Sequence, residues 1–192
     1  MRLFYASFLN SSNMRAYESM VARISAVGPR VIRPIPAATH HLTMAFLGEI
    51  EESDLTLCLE ALEAVADSET FDYSLAQPRI LYTRRVPRLI CADIAEGAER
   101  VAYLQAQLRD AFLERFPQLE LRAQSPHITL ARFKRHAHPK TARQVSEALA
   151  ALQTTELPQR DHLESIQLVK SNLTSSGPVY ESLGKATLKS PS

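Results

Sequence analysis

Apolar positions along the chain fall into two periods. Tyr17, Met20, Val21, Ile24 and Val27 recur at helical spacing behind Asn13, which can cap them, and Gly28-Pro29 ends the run. Val101, Leu104, Leu108, Ala111, Phe112 and Arg115 repeat that pattern until Pro117 stops it. Two further helices are predicted. Ser53-Asp54 can cap one through Leu55, Cys58, Leu59, Leu62 and Val65, and Pro139 suits the first turn of another through Val145, Ala148, Leu149 and Leu152. Strand-like runs occupy Leu3–Leu9, Phe71–Leu75, Arg79–Thr83, Leu163–Lys170 and Val179–Leu188. Two more are short, alternating and led by histidine, one entered near Pro36 and one near Pro126.

These elements come in two sets. Arg2-Leu3-Phe4-Tyr5-Ala6-Ser7-Phe8 is echoed by Arg88-Leu89-Ile90-Cys91-Ala92-Asp93-Ile94, 86 positions later. His41-Leu42-Thr43-Met44-Ala45 is echoed by His127-Ile128-Thr129-Leu130-Ala131 at the same offset of 86. A single match between β-rich segments carries little weight, but two at one offset point to a duplication. The expectation is an α+β fold of two lobes related by a pseudo-twofold, each a small, mainly antiparallel sheet with helices packed outside. A cleft lies between the lobes. Residues 1–192 then form one bilobal domain with halves near 1–86 and 87–180, open to strand exchange, and a tail over 185–192 that frays.

Composition narrows the picture. The 192 residues are 45% hydrophobic, with 22 Lys+Arg against 21 Asp+Glu. That excludes disordered and collagenous classes, and a net charge of +1 excludes a binder that relies on bulk basicity. Five glycines leave little room for a nucleotide-cradling loop. Two cysteines, Cys58 and Cys91, are too few for a disulfide scaffold and read as buried free thiols in a reducing compartment. Lacking both a signal-peptide pattern and a spanning apolar run, the chain reads as a soluble cytoplasmic monomer with no membrane partner.

The histidine strands carry the chemistry. Alternation puts His41 and Thr43 on one strand face, with Leu42, Met44 and Phe46 directed into a core. His127 and Thr129 share a face opposite Ile128 and Leu130. If the halves face one another, two imidazoles and two hydroxyls converge. An imidazole titrates near neutrality, so one can accept a proton while the other donates. Two hydroxyls can donate hydrogen bonds to non-bridging oxygens. A phosphodiester suits that inventory, and no metal or other cofactor is required. Zinc binding is the competing chemistry, because His40 adjoins His41; adjacent strand residues face opposite ways, though, and no Cys or carboxylate joins them at ligand spacing.

These residues resemble a known family. His41-Leu42-Thr43-Met44-Ala45-Phe46-Leu47-Gly48-Glu49 and His127-Ile128-Thr129-Leu130-Ala131-Arg132 look like the paired His-x-Thr-x motifs of the 2H phosphoesterases. The branch is the LigT/ThpR group of RNA 2′,3′-cyclic phosphodiesterases, once named 2′-5′ RNA ligases. Arg2-Leu3-Phe4-Tyr5-Ala6 and Ser171…Gly177-x-x-Tyr180 extend the likeness over nearly the whole chain. The resemblance implies hydrolysis of a terminal 2′,3′-cyclic phosphate on RNA or an oligonucleotide to a 2′-phosphomonoester. It implies His41 as general acid, His127 as general base, and Thr43, Thr129 and Arg132 as phosphate-binding residues. Arg132 lies three residues after Thr129, so it reaches the cleft only if the strand ends or bulges there. The family often has a Trp before the first motif; this chain has none, and Pro34 stands in its place.

Basic residues flank the motifs in two groups: Arg132, Lys134, Arg135, Lys140 and Arg143 with His136 and His138, and Arg79, Arg84, Arg85 and Arg88. Either can guide an RNA backbone or face solvent. Tyr5, Phe8 and Tyr82 are candidate stacking surfaces or core. Three other readings compete: a phosphodiesterase for a small cyclic nucleotide or ADP-ribose cyclic phosphate, reverse 2′-5′ joining, and a binding module without turnover.

Overall fold

The computed structural model describes residues 1–10, 13–134, 139–151, 160–174 and 177–191. Among these residues, ten strands and four α-helices run in the order β1 (Arg2–Phe8), α1 (Met14–Val27), β2 (Ile32–Pro34), β3 (His41–Glu49), α2 (Leu55–Leu62), β4 (Phe71–Tyr73), β5 (Arg79–Thr83), β6 (Val86–Asp93), α3 (Ala98–Arg115), β7 (His127–Phe133), α4 (Pro139–Ala150), β8 (Asp161–Leu163), β9 (Ser165–Thr174) and β10 (Gly177–Thr187). All strand pairs in the main sheet are antiparallel. The α+β class holds.

The main sheet runs β10-β9-β1-β3-β7-β6-β5, with β2 also pairing β7, while β4 and β8 form a small second sheet. Each 86-residue echo maps onto this order. β1 lies between β3 and β9, and β6 lies between β7 and β5. The two triplets meet at the centre through the single pair Leu42↔Ile128. The sheet therefore joins strands from both ends of the chain.

One face of the sheet is covered by helices. Tyr17, Met20 and Ile24 of α1, Cys58 and Leu62 of α2, Val101, Leu104, Leu108 and Phe112 of α3, and Val145 and Leu149 of α4 pack with Leu3, Tyr5, Leu42, Met44, Ile90, Ile128 and Leu130 into one core. Both thiols are buried and unbonded. The Tyr5 hydroxyl donates to the Cys58 carbonyl at 2.6 Å, so Tyr5 is core rather than a stacking surface. The other face carries a small cluster of Phe4, Ala6 and Val169, flanked by Phe8 and Tyr180. No helix among the described residues is long and apolar enough to cross a membrane.

Several local expectations give way. Asn13 makes no side-chain cap; its amide donates instead to the Arg160 carbonyl at 2.7 Å, a tertiary bond that outcompetes a cap worth about 1 kcal/mol. Ser53 and Asp54 make no cap either, because residues Glu52–Asp54 wind into a 3₁₀ turn. Leu163 closes β8 and Ser165 opens β9, so the predicted strand Leu163–Lys170 is two strands in different sheets. Leu152 lies outside the described residues. The tail does not fray from 185: β10 runs to Thr187, Leu188 is buried, and Lys189 exchanges backbone hydrogen bonds with Ser68 and Thr70. The apolar Leu188 side chain anchors it.

Candidate active site

His41 opens β3 and His127 opens β7. The two rings are held alike. His41 Nδ1 lies 2.8 Å from the Thr39 carbonyl, and His127 Nδ1 lies 2.8 Å from the Ser125 carbonyl, each oxygen two residues upstream. A carbonyl oxygen only accepts, so Nδ1 must carry the proton in both rings. That fixes the tautomer and leaves each Nε2 with a lone pair to accept a hydrogen bond or a proton. Leu42 and Ile128 are buried in the core, so their neighbours point to the helix-free face. Antiparallel pairing through those two residues places His41 beside Thr129 and Thr43 beside His127.

Beyond the threonines both strands break register in the same way. β1 pairs Ala6 with Thr43 but Tyr5 with Ala45, skipping Met44. β6 pairs Cys91 with Thr129 but Ile90 with Ala131, skipping Leu130. Each skip is a bulge that resets the alternation by one residue. In consequence Phe46 turns out of the core, where strict alternation had put it, and is 39% exposed. Arg132, at the equivalent position of β7, turns the same way.

A cavity of about 330 Å³ opens on this face, with Arg2, Phe4, His41, Thr43, Phe46, Arg132 and Tyr180 in its wall. His127 and Thr129 stand beside it on β7 and are not in the wall itself. A second cavity of about 350 Å³ shares Arg132, Pro178 and Tyr180 with the first and extends along Arg33, Pro34 and Pro36. A larger cavity of about 460 Å³, between Phe71, Arg100 and Tyr103, lies on the helical side and holds neither motif. Among the described residues, nothing acidic lines either of the two cavities that share Arg132.

Aromatic rings enclose His41. Phe4, Phe8 and Tyr180 centroids lie 5.2, 5.6 and 5.3 Å from its ring. Burial lowers the His41 pKa, and the positive charges of Arg132 and His127 lower it further. His40 is a different residue in every respect. It is 1% exposed, points into the core against Tyr17, and hydrogen-bonds the Ile35 carbonyl at 3.1 Å. Desolvation holds its pKa down at about 4. Among the described residues no three His, Cys, Asp or Glu side chains gather as metal ligands.

Sequence reasoning missed Phe4, Phe46 and Tyr180. Phe4, Ala6 and Phe8 do share a period of two, which marks β1 as buried on both faces and was the available signal. Nothing in the sequence disclosed the bulge that turns Phe46, or the β9–β10 hairpin that brings Tyr180 over. Tyr82 is exposed on β5, remote in sheet order from β3. Of the basic groups, Arg79 is paired with Asp93 and Arg143 with Glu147. Arg84 and Arg85 form the β5–β6 turn with positive φ. Arg135, His136 and His138 lie outside the described residues.

Two imidazoles anchored alike and two threonine hydroxyls thus share the helix-free face, beside a cavity whose wall holds Arg2 and Arg132. The chain belongs to the LigT-like phosphoesterase family, whose model matches it twice, over residues 9–91 and 93–180. It is 35% identical over 98% of its length to an RNA 2′,3′-cyclic phosphodiesterase of Thermus thermophilus, covering 91% of that protein. A second protein of that description, from Aquifex aeolicus, is 27% identical over 73% of each chain. Among solved structures, TT0787 of Thermus thermophilus superposes with a TM-score of 0.76 at 30% identity, covering 99% of both chains. E. coli LigT complexed with 3′-AMP shares the fold, with a TM-score of 0.67 at 21% identity over 97% of this chain and 96% of that one.

Proposed function

We propose that this phosphoesterase opens 2′,3′-cyclic phosphate ends of RNA or oligonucleotides to 2′-phosphomonoesters, without a metal, by two-histidine acid–base catalysis. His127 Nε2 takes a proton from water, which attacks phosphorus in line. His41 Nε2 protonates the departing 3′ oxygen. Thr43 and Thr129 donate to the non-bridging oxygens, and Arg132 adds a charge-assisted contact as negative charge builds there. The observation that carries the reading is the matched anchoring of the two rings, Nδ1 to a carbonyl two residues back at 2.8 Å in each case. Identical anchoring leaves two free Nε2 atoms of opposite assignable role, which binding alone does not call for.

The lowered His41 pKa has a place in this scheme. A phosphate anion in the cleft offsets the repulsion from Arg132 and raises the pKa in the complex. The imidazolium so restored is an effective donor, because a ring that burial disfavours in its charged form gives its proton up readily. In 2′-5′ joining a 5′-hydroxyl takes the place of water: His127 accepts its proton, its oxygen bonds to phosphorus, and His41 again protonates the departing 3′ oxygen.

Incubating the protein with a short RNA bearing a 2′,3′-cyclic phosphate, followed by identification of the product isomer, tests the reading. A 2′-phosphate is expected. A 3′-phosphate product contradicts the assigned leaving group, and activity lost to a chelator and restored by zinc overturns the metal-independent mechanism. Turnover of nucleoside or ADP-ribose cyclic phosphates with none on RNA shifts the substrate to the small-molecule class.

A further inference from the structure

We infer that the tip of the β5–β6 hairpin is a docking surface for single-stranded RNA, gripping the strand a few nucleotides upstream of the cyclic end held at His41. The inference rests on the phosphodiesterase reading above and extends its substrate from a nucleotide to a strand. Thr83 pairs with Val86, so Arg84 and Arg85 are the two central residues of a tight hairpin turn. Their φ values are 49° and 66°, both in the left-handed region. A two-residue turn of that kind follows the twist of its strands, and the residues it favours are Asn-Gly or Asp-Gly. The Cβ of an arginine crowds the backbone there, and each such residue costs stability. Two in succession mark a turn kept for its side chains rather than for its ease of folding.

The rest of the hairpin agrees. Its register steps from Leu81↔Leu89 to Tyr82↔Pro87, so Arg88 is the extra residue of a bulge and stands outside the regular ladder. Arg84, Arg85 and Arg88 are exposed, and no acidic residue lies between Arg79 and Ala92 in the sequence. Tyr82 and Val86 flank the turn at 52% and 53% exposure. Guanidinium groups beside an open aromatic ring suit a single strand, whose backbone takes the charge and whose bases take the ring. The tip is also within reach of the cleft. Leu89 pairs with Arg132, and β6 continues past it away from His127. Val86 is three residues farther along, roughly 10 Å at the rise of a strand. A strand that leaves the cleft over β6 therefore meets Arg84 and Arg85 after a few nucleotides.

The test compares kcat/KM of the full chain on two RNAs that end in a 2′,3′-cyclic phosphate, the dinucleotide ApA and a dodecamer. The dodecamer should be favoured roughly tenfold or more at low salt. Arg84→Asn combined with Arg85→Gly gives the turn the residues its backbone favours, and should bring that ratio to near one. Activity on the dinucleotide and Tm should not fall, because the change relieves the turn. The slope of log KM for the dodecamer against log salt should shrink by roughly 1.4, at about 0.7 for each phosphate contact on a single strand. Arg84→Lys combined with Arg85→Lys should keep most of the preference. Equal kcat/KM on both RNAs in the unaltered enzyme, or a preference for the dodecamer that survives the first double variant, overturns the docking surface and leaves the phosphodiesterase reading standing. An equal loss on both RNAs in that variant does the same, since it places the turn in the fold rather than on the strand. Absence of turnover on both RNAs by the unaltered enzyme overturns the phosphodiesterase reading instead.

Discussion

β3 and β7 are near copies in backbone and opposites in surroundings. Both open with an anchored histidine, both place a threonine two residues on, and both bulge at the next residue. Past the bulge the side chains diverge, Phe46 on one strand and Arg132 on the other. The neighbours differ too. β3 stands next to β1, whose Phe4 and Phe8 close on His41, and the β9–β10 hairpin adds Tyr180 from above. β6 offers Leu89 and Asp93 at the corresponding pairing stations, and beyond it lies β5, the sheet's last strand among the described residues. Equal backbones hold the two imidazoles alike, and unequal neighbours set them apart. The acid–base roles proposed above need that inequality, which arises from packing around a repeated strand.

The sharpest way to break the comparison is to remove one imidazole at a time. His127→Ala and His41→Ala should each lower kcat by roughly 10²–10⁴-fold, while affinity for a cyclic-phosphate oligonucleotide changes only a few-fold. A loss of affinity with little loss of turnover would make this a binding site. A second difference is His40, which the other half replaces with Pro126. Its folded pKa of about 4 lies below the unfolded value of 6.5, so the unfolded chain binds more protons between the two. Stability should be full above pH 6.5 and fall by about 3 kcal/mol as pH drops toward 4. Denaturant titrations across that window should show the slope, and His40→Gln should flatten it.

The bulge positions come next. Arg132→Gln should cost roughly tenfold to a hundredfold in kcat/KM, and Phe46→Ala less than about tenfold. Equal losses would mean the guanidinium acts by packing alone. The smallest effect concerns the aromatic enclosure. His41 must be protonated to act as acid, and its lowered pKa brings the alkaline limb of the kcat/KM profile to lower pH. Phe8→Ala admits water, raises that pKa toward the ordinary imidazole value, and should move the limb upward by less than about one unit. The kcat profile, which reports the substrate complex, should have its alkaline limb at higher pH than the kcat/KM profile. Coincident limbs would sever His41 from the acid role.

Much of this is legible in the amino-acid pattern, and the failures share a cause. Leu42, Met44, Ile128 and Leu130 alternate cleanly with His41, Thr43, His127 and Thr129, and the offset of 86 ties the two strands together on sequence alone. Phe46 and the bulge before Arg132 are not legible, because a bulge is a relation between two strands and leaves no period in either. β2 is too short to register, at three residues. The tail misleads for a related reason: Lys-Ser-Pro-Ser looks like an end that frays, but Leu188 has a core to enter and Lys189 an exposed backbone to join. The place of Tyr180 against His41 is not legible either, since their separation along the chain hides their adjacency.

The interleaved sheet order bears on how the protein comes into being. β1 leaves the ribosome well before one of its two neighbours, β9, which begins at Ser165. Through most of synthesis that flank has no partner, and its apolar residues wait for a segment not yet made. Long-range pairings of this kind slow folding and lengthen exposure to aggregation. The ring cluster around His41 draws on β1, β3 and β10, so the His41 side of the cleft is among the last parts completed. A nascent chain stalled before residue 165 would own both histidines, Phe4 and Phe8, and still lack the Tyr180 ring that completes the enclosure of His41.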